Sequence, residues 1–399
     1  MPTAVVILPS TTYRATDFVK AAESLGVDLI VASENPPPLD MGDRYLQIDC
    51  SDPDGASEAI IALGDRMEID GVVAADDAGV VVAALASEKL GLLGNGPEPA
   101  AATRDKGAQR NLMEIAEIPQ PRFSELSPNA PPGDAVIGLT FPVIIKPLDR
   151  SAGQGVIRAD NIEELEVRTK EVRGIVGADA PLLIEEFISG DEIALEGIVT
   201  DGELTTLAIF DKPGASEGPM FQETILVTPP RLSPDRQAES ERVASSALRA
   251  IGIEHGPVHV EMKVDQDRVS IIEVAARSIG GLCSQSLNFG LMGTSLETLI
   301  LRNTLGLDKP ELKREPIATG VLMIPIPRGG VFGQVSNIDA LREIPGVTGI
   351  DITVTPGNRI DPPPVGDRYL GFVFARADSP EEVTKSLISA RDLVEVEIS

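Results

Sequence analysis

The segment from His259 to Gly281 constrains the fold most, because it sets two acidic residues on neighbouring predicted β-strands. Apolar and polar residues alternate on both sides of a polar turn, as they do in strands that bury one face. If residues Gln266 to Arg268 form the turn, Glu261 lies directly opposite Glu273. The Cβ atoms of such a pair are about 5 Å apart. The sequence therefore predicts a β-hairpin that brings two carboxylates together.

Two carboxylates at this separation repel each other unless a cation or a shared proton lies between them. Oxygen ligands of this kind favour Mg²⁺ or Mn²⁺. Arg277 follows four residues after Glu273 and supplies a guanidinium group for a phosphate or carboxylate, just before the flexible Gly280 and Gly281. We expect a metal and anion site here. The alternative is a solvated hairpin whose acidic side chains face water.

Charge and cysteine content exclude several classes of protein. The chain of 399 residues has a net charge of −28 and a pI near 4.4, which argues against binding to nucleic acid or to an anionic membrane surface. Its two cysteines, Cys50 and Cys283, indicate a reducing compartment rather than a disulfide scaffold. The N-terminus lacks a signal-peptide pattern, and no apolar stretch approaches the roughly 20 residues of a membrane span. We therefore expect a cytoplasmic protein.

The N-terminal part alternates predicted strands and helices, which indicates a parallel sheet covered on both faces. The predicted strands are Ala4–Leu8, Val27–Ala32 and Gly71–Ala75, and the predicted helices are Thr16–Leu25, Ala56–Met67 and Val80–Lys89. Such sheets bind ligands at the carboxyl ends of their strands, where Asp76 and Asp77 follow the third strand. These two residues either contact a substrate or cap a turn. No G-x-G-x-x-G follows the first strand, so a dinucleotide site is not predicted there.

The middle of the chain contains several positions suited to binding phosphate. A predicted helix opens with Lys106 and carries Arg110 on the same face. Lys146 lies inside the apolar strand Phe141–Pro147, where a buried cation requires an anionic partner. The loop from Ser151 to Gly155 follows at once, and its glycines permit backbone N–H groups to surround a phosphate. An ordinary connecting loop is the alternative.

Acidic residues also mark the next two predicted strands. Leu182–Phe187 ends in Glu-Glu-Phe, and the strand after it places Glu192 and Glu196 on one face. The Gly- and Pro-rich stretch Leu92–Ala102 is predicted to be a connector, and the prolines of residues 119–139 indicate a looser connecting passage. From about residue 316 the pattern changes to short strands and one helix, which predicts a small α+β domain.

These features occur in one order: Lys106, Lys146, the Gly/Ser loop, the Glu-Glu-Phe strand end, and the acidic hairpin that ends at Arg277. In this order the chain resembles the ATP-grasp superfamily of carboxylate–amine ligases over its whole length. The motifs P-G-V-T-G-I-D at 345–351 and G-D-R-Y-L-G-F-V-F-A at 366–375 resemble the last domain of the L-amino-acid ligases, or dipeptide synthetases. Carnosine-synthase-like ligases are near relatives of that branch.

The resemblance implies a mixed α/β and α+β architecture with the ATP-grasp fold. An N-terminal parallel-sheet domain, the pre-ATP-grasp domain, is expected at residues 1–95. The ATP-grasp domain follows at 96–310, with a lid subdomain at about 120–188. The two parts of this domain are expected to grasp the nucleotide between them. A small C-terminal L-amino-acid-ligase-like domain is expected at 311–399.

The resemblance also implies roles for individual residues. The residues implied to bind ATP are Lys106, Lys146, Ser151, Gly153, Gln154, Gly155, Glu185, Glu186, Phe187, Ile188 and Glu192. Among them, Glu185 would take the adenine amino group and Glu192 the ribose hydroxyls. The implied metal ligands are Glu261 and Glu273, holding Mg²⁺ or Mn²⁺, with two ions expected. The implied catalytic residues are Arg277 and Lys146, which would stabilise the transferring phosphoryl group.

Four more residues are candidates for contacting the other substrates: His259, Ser278, Gly280 and Gly281. His259 shares the face of Glu261 and could orient a substrate, although a hydrogen-bonded packing role is the alternative. Ser278 and the glycine backbone could receive the carboxylate of an incoming amino acid, and a simple turn is the alternative.

The implied reaction joins a small-molecule carboxylic acid to an amine, through an acyl phosphate, with release of ADP and phosphate. The two substrates would be two amino acids, or an amino acid and a related amine. Ala275 stands where many ATP-grasp enzymes have Asn, although Ala or Gly also occurs among dipeptide-ligase-like members. The alternatives are another ATP-grasp ligase, such as a carboxylase or a nucleotide-pathway ligase, and a non-catalytic ATP-binding protein. The apolar N-terminal domain is a candidate homodimer face.

Overall fold

The N-terminal region forms a parallel four-stranded sheet in the computed structural model, which describes residues 1–9, 12–35, 42–214, 217–221, 224–308 and 313–399. Its strands run in the order β3-β2-β1-β4. They are β1 (Thr3–Ile7), β2 (Asp28–Ser33), β3 (Tyr45–Gln47) and β4 (Gly71–Ala74). The helices are α1 (Ala15–Leu25), α2 (Pro53–Gly64) and α3 (Val80–Leu90). The parallel sheet confirms the prediction, but β3 was missed because it is short and only partly buried.

The second sheet is antiparallel and has the strand order β5-β8-β6-β7. The elements of this region are α4 (Pro97–Ala102), α5 (Lys106–Ile115), β5 (Phe123–Leu126), β6 (Val143–Pro147), β7 (Ile157–Ala159), α6 (Ile162–Val176) and β8 (Leu182–Glu186). Helix α6 buries Leu165, Thr169 and Val172, which recur at helical spacing, against this sheet. We call it the lid sheet.

Two predicted connectors contain regular structure. The stretch Leu92–Ala102 ends in the short helix α4, which begins at Pro97, and proline is well suited to the first turn of a helix. Residues 119–139 contain the edge strand β5. Because its partner β8 lies far along the chain, local sequence reveals little of this pairing.

The central sheet has eight antiparallel strands, in the order β13-β12-β9-β10-β11-β14-β18-β16. A small sheet of three strands, β17-β15-β19, lies beyond it. The elements are β9 (Asp191–Thr200), β10 (Glu203–Asp211), β11 (Ile225–Thr228), α7 (Pro234–Ile251), β12 (Gly256–Val264), β13 (Val269–Ala275), α8 (Leu296–Thr304), β14 (Ala318–Ile324), β15 (Gly330–Val335), α9 (Ile338–Arg342), β16 (Val347–Ile352), β17 (Arg359–Ile360), β18 (Gly371–Ala377), α10 (Pro380–Leu393) and β19 (Val396–Ile398).

The C-terminal strands are part of the central sheet rather than a sheet of their own. Strand β14 pairs with β11 through four residue pairs, from Ile225 with Leu322 to Thr228 with Thr319. The sheet therefore crosses the predicted domain limit at residue 310, and the domain limits remain a prediction. This continuity brings the start of β18 to the same side of the molecule as the hairpin of β12 and β13.

The acidic hairpin pairs Glu261 with Glu273, as predicted, but by a different route. Asp265 donates its backbone N–H to the Arg268 carbonyl at 3.1 Å, so the turn is one residue shorter than predicted. A bulge at Ile272 restores the register, because the pairing shifts between Glu261 and Met262. The two carboxylates face each other only because the bulge compensates for the shorter turn.

The N-terminal sheet and the central sheet share two hydrophobic cores. One core joins residues of β1 and α3 to residues of β9, β12 and α7. The other joins α1 and β2 to α8, β14 and β18. Within the described ranges, no helix combines the length and the apolar character needed to cross a membrane.

Candidate active site

A cavity of about 450 Å³ lies where the lid sheet, the central sheet and the N-terminal region meet. It is large enough for a small-molecule ligand. Most of the predicted site residues line it: Lys106, Lys146, Ser151, Gly153, Glu185, Glu186, Phe187, Ile188, Glu192, His259, Glu261, Glu273, Arg277, Gly280 and Gly281. Gln154, Gly155 and Ser278 do not, although they flank residues that do. The fold thus collects most residues of the predicted site.

Lys146 and Glu185 form a buried ion pair with Arg110. The Lys146 Nζ lies 2.5 Å from one Glu185 oxygen, and the Arg110 Nε lies 2.6 Å from the other. Burial opposes ionisation of Glu185, but the two cations outweigh it and lower its pKa to about 2. Lys146 therefore has the anionic partner that its place in an apolar strand required. Glu185 lines the cavity, but each of its oxygens already accepts from a cation.

Glu192 lies between two lysines at the far side of the same cavity. Lys212 and Lys263 each place Nζ 3.1 Å from one of its oxygens. Burial opposes ionisation of Glu192, but these cations hold its pKa below the usual value. Lys212 also contacts Glu261 at 3.2 Å. Lys212 directly follows β10, and the sequence analysis did not identify it as a site residue. A lysine next to an apolar strand, like Lys146 within one, was a signal that could have found it.

The facing residues Glu261 and Glu273 are each paired with a lysine. Lys106 Nζ lies 3.0 Å from Glu273, and Lys212 Nζ contacts Glu261. Burial opposes ionisation of Glu261, but Lys212 and His259 hold its pKa well below the usual value. Glu261 is therefore an ionised carboxylate, which is the form a metal ion requires.

This donor set fits Mg²⁺ when the nucleotide provides the remaining ligands. Across the part of the chain that the structure describes, no group of three or more acidic, His or Cys side chains could hold a metal ion. Glu261 and Glu273 face each other across the strand pair, and both line the cavity. Mg²⁺ is commonly bound by one or two carboxylates together with substrate phosphates and water. The two glutamates are thus suited to a shared metal–phosphate site and not to a closed protein cage.

His259 links the acidic hairpin to the neighbouring strand β9. Its Nδ1 contacts Glu196 and its Nε2 lies 3.3 Å from Glu261. Burial disfavours the charged imidazolium, but Glu196 and Glu261 outweigh this and raise the pKa of His259 to about 9. The other Glu196 oxygen accepts from the Ile279 backbone N–H at 2.9 Å. His259 lines the cavity, and its buried contacts with Glu196 and Glu261 are those of a hydrogen-bonded packing role. Through them it fixes the position of Glu261.

Arg277 is held in the cavity wall by the acidic residues that follow β4. Its Nη2 lies 3.1 Å from Asp77, and its Nη1 donates to the Ser278 carbonyl at 3.0 Å. Burial opposes protonation, but Asp77, Asp76 and Glu273 outweigh it and raise the Arg277 pKa above its usual value. Asp76 accepts from the Asp77 N–H, so it caps the turn and also lines the cavity. The Arg277 Nε is buried and has no hydrogen-bond partner among the described residues.

The predicted phosphate loop divides into two halves. Ser151 and Gly153 line the cavity, and Gly153 has a left-handed backbone with φ of +73°. A side chain there would meet the Phe221 carbonyl oxygen at 2.6 Å. Gln154 and Gly155 turn away and donate to the carbonyls of Val365 and Pro364 at 2.8 and 2.9 Å. C-terminal carbonyls thus accept from these two donors, and the contact of Gln154 and Gly155 with ATP stays a prediction.

Two further predicted residues have partners outside the expected roles. The Ser278 hydroxyl is buried and accepts from Arg14 Nη1 at 2.5 Å, so it is a structural contact and does not face the cavity. The Glu186 side chain pairs with the exposed Arg122 and accepts from the Thr140 N–H at 2.6 Å. Glu186 nevertheless lines the cavity, whereas Ser278 does not, and the predicted roles of both residues stay predictions.

The lining also contains residues that the sequence gave no reason to choose. Tyr13 comes from the N-terminal region, Tyr369 lies just before β18, and Phe372 lies at its start. Because Tyr13 lies far from the other two in the sequence, the sequence does not show that the three are neighbours. Only the continuity of the central sheet with the C-terminal strands brings them together.

Comparison with protein families gives three matches in sequence order. Residues 19–94 match the ATP-grasp N-terminal domain, residues 139–286 match the ATP-grasp domain, and residues 322–399 match the L-amino acid ligase C-terminal domain 2. Together they extend over most of the chain.

Individual relatives are distant. An uncharacterized protein of Sinorhizobium fredii, y4rH, is 23% identical over all of this chain and 84% of its own length. An alanine–anticapsin ligase of Bacillus subtilis is 27% identical over 56% of this chain and 51% of its own length. The match thus spans about half of that ligase.

Solved structures agree with this at the level of the fold. The L-amino acid ligase of Bacillus licheniformis is 23% identical, with a TM-score of 0.83, over 100% of this chain and 99% of that one. An ATP complex of carboxyaminoimidazole ribonucleotide synthase from Aspergillus clavatus has a TM-score of 0.77 at 17% identity, over 99% of both chains. The chain thus combines an ATP-grasp N-terminal domain and an ATP-grasp domain with the L-amino acid ligase C-terminal domain 2, and it has the ATP-grasp fold.

Proposed function

We propose that this protein is an ATP-dependent carboxylate–amine ligase that joins two amino acids, or an amino acid and a related amine. Two kinds of observation support the proposal. The cavity unites cationic groups suited to phosphates with an acidic pair suited to Mg²⁺. The C-terminal domain matches that of L-amino acid ligases, and one relative is an alanine–anticapsin ligase.

The observation that carries the proposal is the pairing of Glu261 with Glu273 in the cavity that also contains Lys106, Lys146 and Arg277. When bound, Mg²⁺ would neutralise charge on the ATP phosphates. The three cations would stabilise the negative charge that spreads over the transferring phosphoryl group. This combination matches phosphoryl transfer, in which catalysis consists mainly of positioning and charge stabilisation.

The reaction we propose has two chemical steps. A substrate carboxylate attacks the γ-phosphorus of ATP, the bond from that phosphorus to the β–γ bridging oxygen breaks, and ADP leaves. The product of this step is an acyl phosphate. An amine then attacks the acyl carbon, loses a proton, and expels inorganic phosphate as the amide forms. No nucleophilic side chain takes part, and the loop from Ser151 to Gly155 would limit water access to the acyl phosphate.

Individual residues have defined parts in this scheme. Lys146 would bind ATP phosphate, and the buried Glu185 and Arg110 fix its position. Arg277, anchored on Asp77, would hold the γ-phosphate and then the acyl phosphate. His259 would keep Glu261 ionised and oriented. We also propose a reducing, cytoplasmic setting, which the buried thiols of Cys50 and Cys283 support.

Phosphate release from ATP and Mg²⁺ with pooled amino acids tests the proposal. The ligase reaction predicts release that requires two amino acids, and a product whose mass equals their sum minus water. Glu273→Ala should abolish release, whereas Glu114→Ala, on the exposed face of α5, should not. Release that requires bicarbonate or a nucleotide-pathway amine would move the protein to another ATP-grasp reaction. ATP binding without release in any mixture would show a non-catalytic binding protein.

A further inference from the structure

Three aromatic side chains form one wall of the cavity, which we call the aromatic compartment: Tyr13, Tyr369 and Phe372. The Tyr13 and Phe372 ring centroids are 5.7 Å apart, with the planes at 71°. The Tyr369 and Phe372 centroids are 6.4 Å apart. Edge-to-face and tilted arrangements of this kind are favourable for aromatic rings. The N-terminal region and strand β18 thus build one continuous apolar surface.

The compartment adjoins the segment that begins at Arg277. Gly281 has a left-handed backbone with φ of +60°, and a Cβ there would lie 2.6 Å from the Phe372 ring. The Phe372 ring therefore packs directly against the Gly281 backbone, four residues after Arg277. Arg277 and the aromatic wall therefore line the same cavity, and the segment from Arg277 to Gly281 connects them.

The surroundings of the three rings are also apolar. Leu226, Met323 and Cys283 line the same cavity and are buried. Burial is the largest influence on Tyr13 and raises its pKa above the usual value, so its hydroxyl stays neutral. Asp367 and Arg368, beside Tyr369, are 59% and 52% exposed. Arg14, next to Tyr13, is buried and paired with Glu297. Asp76 also lines the cavity and interacts electrostatically with Tyr13 and Arg277. The rings and their apolar neighbours therefore offer apolar surface, and the charged groups around them are exposed or interact with other protein charges.

Aromatic residues are scarce elsewhere in this chain. Only 3% of residues are aromatic, there is no tryptophan, and two of the three tyrosines line the compartment. The third, Tyr45, lies on β3 and contacts the Ser33 carbonyl at 3.2 Å. This distribution is consistent with a binding role for Tyr13 and Tyr369. It also makes tyrosine fluorescence a reporter of the compartment.

We propose that the aromatic compartment binds the side chain of one amino acid substrate and selects an apolar side chain, aromatic or branched aliphatic, over a charged one. The proposal rests on the ligase function proposed above. A charged side chain would lose its hydration against the three rings, and the carboxylate near them, Asp76, already interacts with Arg277. An aromatic or branched side chain would bury apolar surface against three rings.

Tyrosine fluorescence of a Tyr45→Phe protein measures binding without turnover. Leucine, phenylalanine, lysine and glutamate are titrated in the presence of Mg²⁺ and a non-hydrolysable ATP analogue. We expect saturable changes with leucine and phenylalanine, and none with lysine and glutamate over the same range. Tighter binding of lysine or glutamate, or no binding of any of the four, would overturn the proposal.

Substitutions at Tyr369 test the compartment in the phosphate-release assay. Tyr369→Ala should raise the KM for the apolar amino acid roughly tenfold, because a wall of its pocket is lost, while the KM for ATP stays unchanged. Tyr369→Phe should restore the wild-type KM, which separates loss of the ring from misfolding. An equal effect of Tyr369→Ala on both KM values would contradict the assignment.

The two proposals fail in distinguishable ways. Fluorescence changes with leucine and phenylalanine but no phosphate release in any mixture would reject the ligase reaction and leave the selectivity of the compartment standing. Phosphate release that requires two charged amino acids, and no apolar one, would support the ligase reaction and reject the compartment.

Discussion

The imidazole of His259 is expected to titrate far above its ordinary range, and this can be tested by substitution. It lies between Glu196 and Glu261 and is buried. The two carboxylates raise its pKa from 6.5 to about 9 against the opposing effect of burial. This difference between the pKa values of the unfolded and folded chains corresponds to about 3 kcal/mol of stabilisation of the folded state when His259 is protonated.

The direction of the pH dependence follows from the raised pKa. Below about pH 6.5 both folded and unfolded chains carry the proton, and the full contribution is present. Between about pH 6.5 and 9 only the folded chain keeps the proton, so the free energy of unfolding falls as the pH rises. Above the folded pKa of about 9 the contribution is lost.

Urea denaturation between about pH 7 and 10 measures this slope. We expect the wild-type free energy of unfolding to fall over this range by an amount that is absent in His259→Gln. The chain has one other histidine, His255, whose Nε2 contacts the Asn303 carbonyl rather than a carboxylate. His255→Gln should therefore keep the wild-type slope. NMR of the two imidazoles gives an independent midpoint, and a His259 midpoint at or below about 6.5 would refute the electrostatic reasoning.

Three further substitutions test other parts of the structure. Arg14→Met would leave Glu297 buried without its partner at 2.6 Å, and should lower the free energy of unfolding by about 3–5 kcal/mol in urea denaturation. Glu273→Gln should lower phosphate release at least about a hundredfold, because a proposed metal ligand is lost, while calorimetry still detects ATP binding. Gly281→Ala should raise the KM for the amino acids, because its Cβ would lie 2.6 Å from the Phe372 ring.

Each of these has a control or an opposing outcome. Arg391→Met removes an exposed partner of Asp392 and should change stability by less than about 1 kcal/mol. If Arg14→Met changed the free energy of unfolding as little as Arg391→Met does, the buried pair would not stabilise the interface between the N-terminal region and α8. Loss of ATP binding together with turnover in Glu273→Gln would point to a collapsed site. Gly174→Ala is the matched glycine control, because a Cβ there would meet no described atom within 4 Å beyond its chain neighbours and the backbone of its own helix. Equal kinetic effects at both glycines would contradict the packing argument.

Local sequence patterns were enough to identify charged side chains in apolar strands, which need a partner of opposite charge. Lys146 stands out because an amine in an apolar strand needs an anion, and the structure supplies Glu185. Glu261 and Glu273 stand out because the alternation of a hairpin brings them together. The register of this strand pair nevertheless depends on the bulge at Ile272, which the residue pattern did not predict.

The remainder of the site depends on tertiary packing. Arg110 completes the Glu185 cluster across 75 residues of sequence. Tyr13 meets Phe372 only because the C-terminal strands extend the central sheet. Ser278 was assigned to substrate from its neighbours, yet its hydroxyl is taken by Arg14, which is 264 residues away. Pairings at such separations leave no periodic signal in a single sequence.

Oxygen-isotope transfer tests the central claim most directly. The amino acid that provides the carboxylate is labelled with oxygen-18 in that group, and the inorganic phosphate formed is analysed by mass spectrometry. Attack of the carboxylate on the γ-phosphorus predicts that one labelled oxygen appears in the phosphate for each amide formed. Amide formation with unlabelled phosphate would contradict the acyl-phosphate route and, with it, the role proposed for Arg277 and the acidic hairpin.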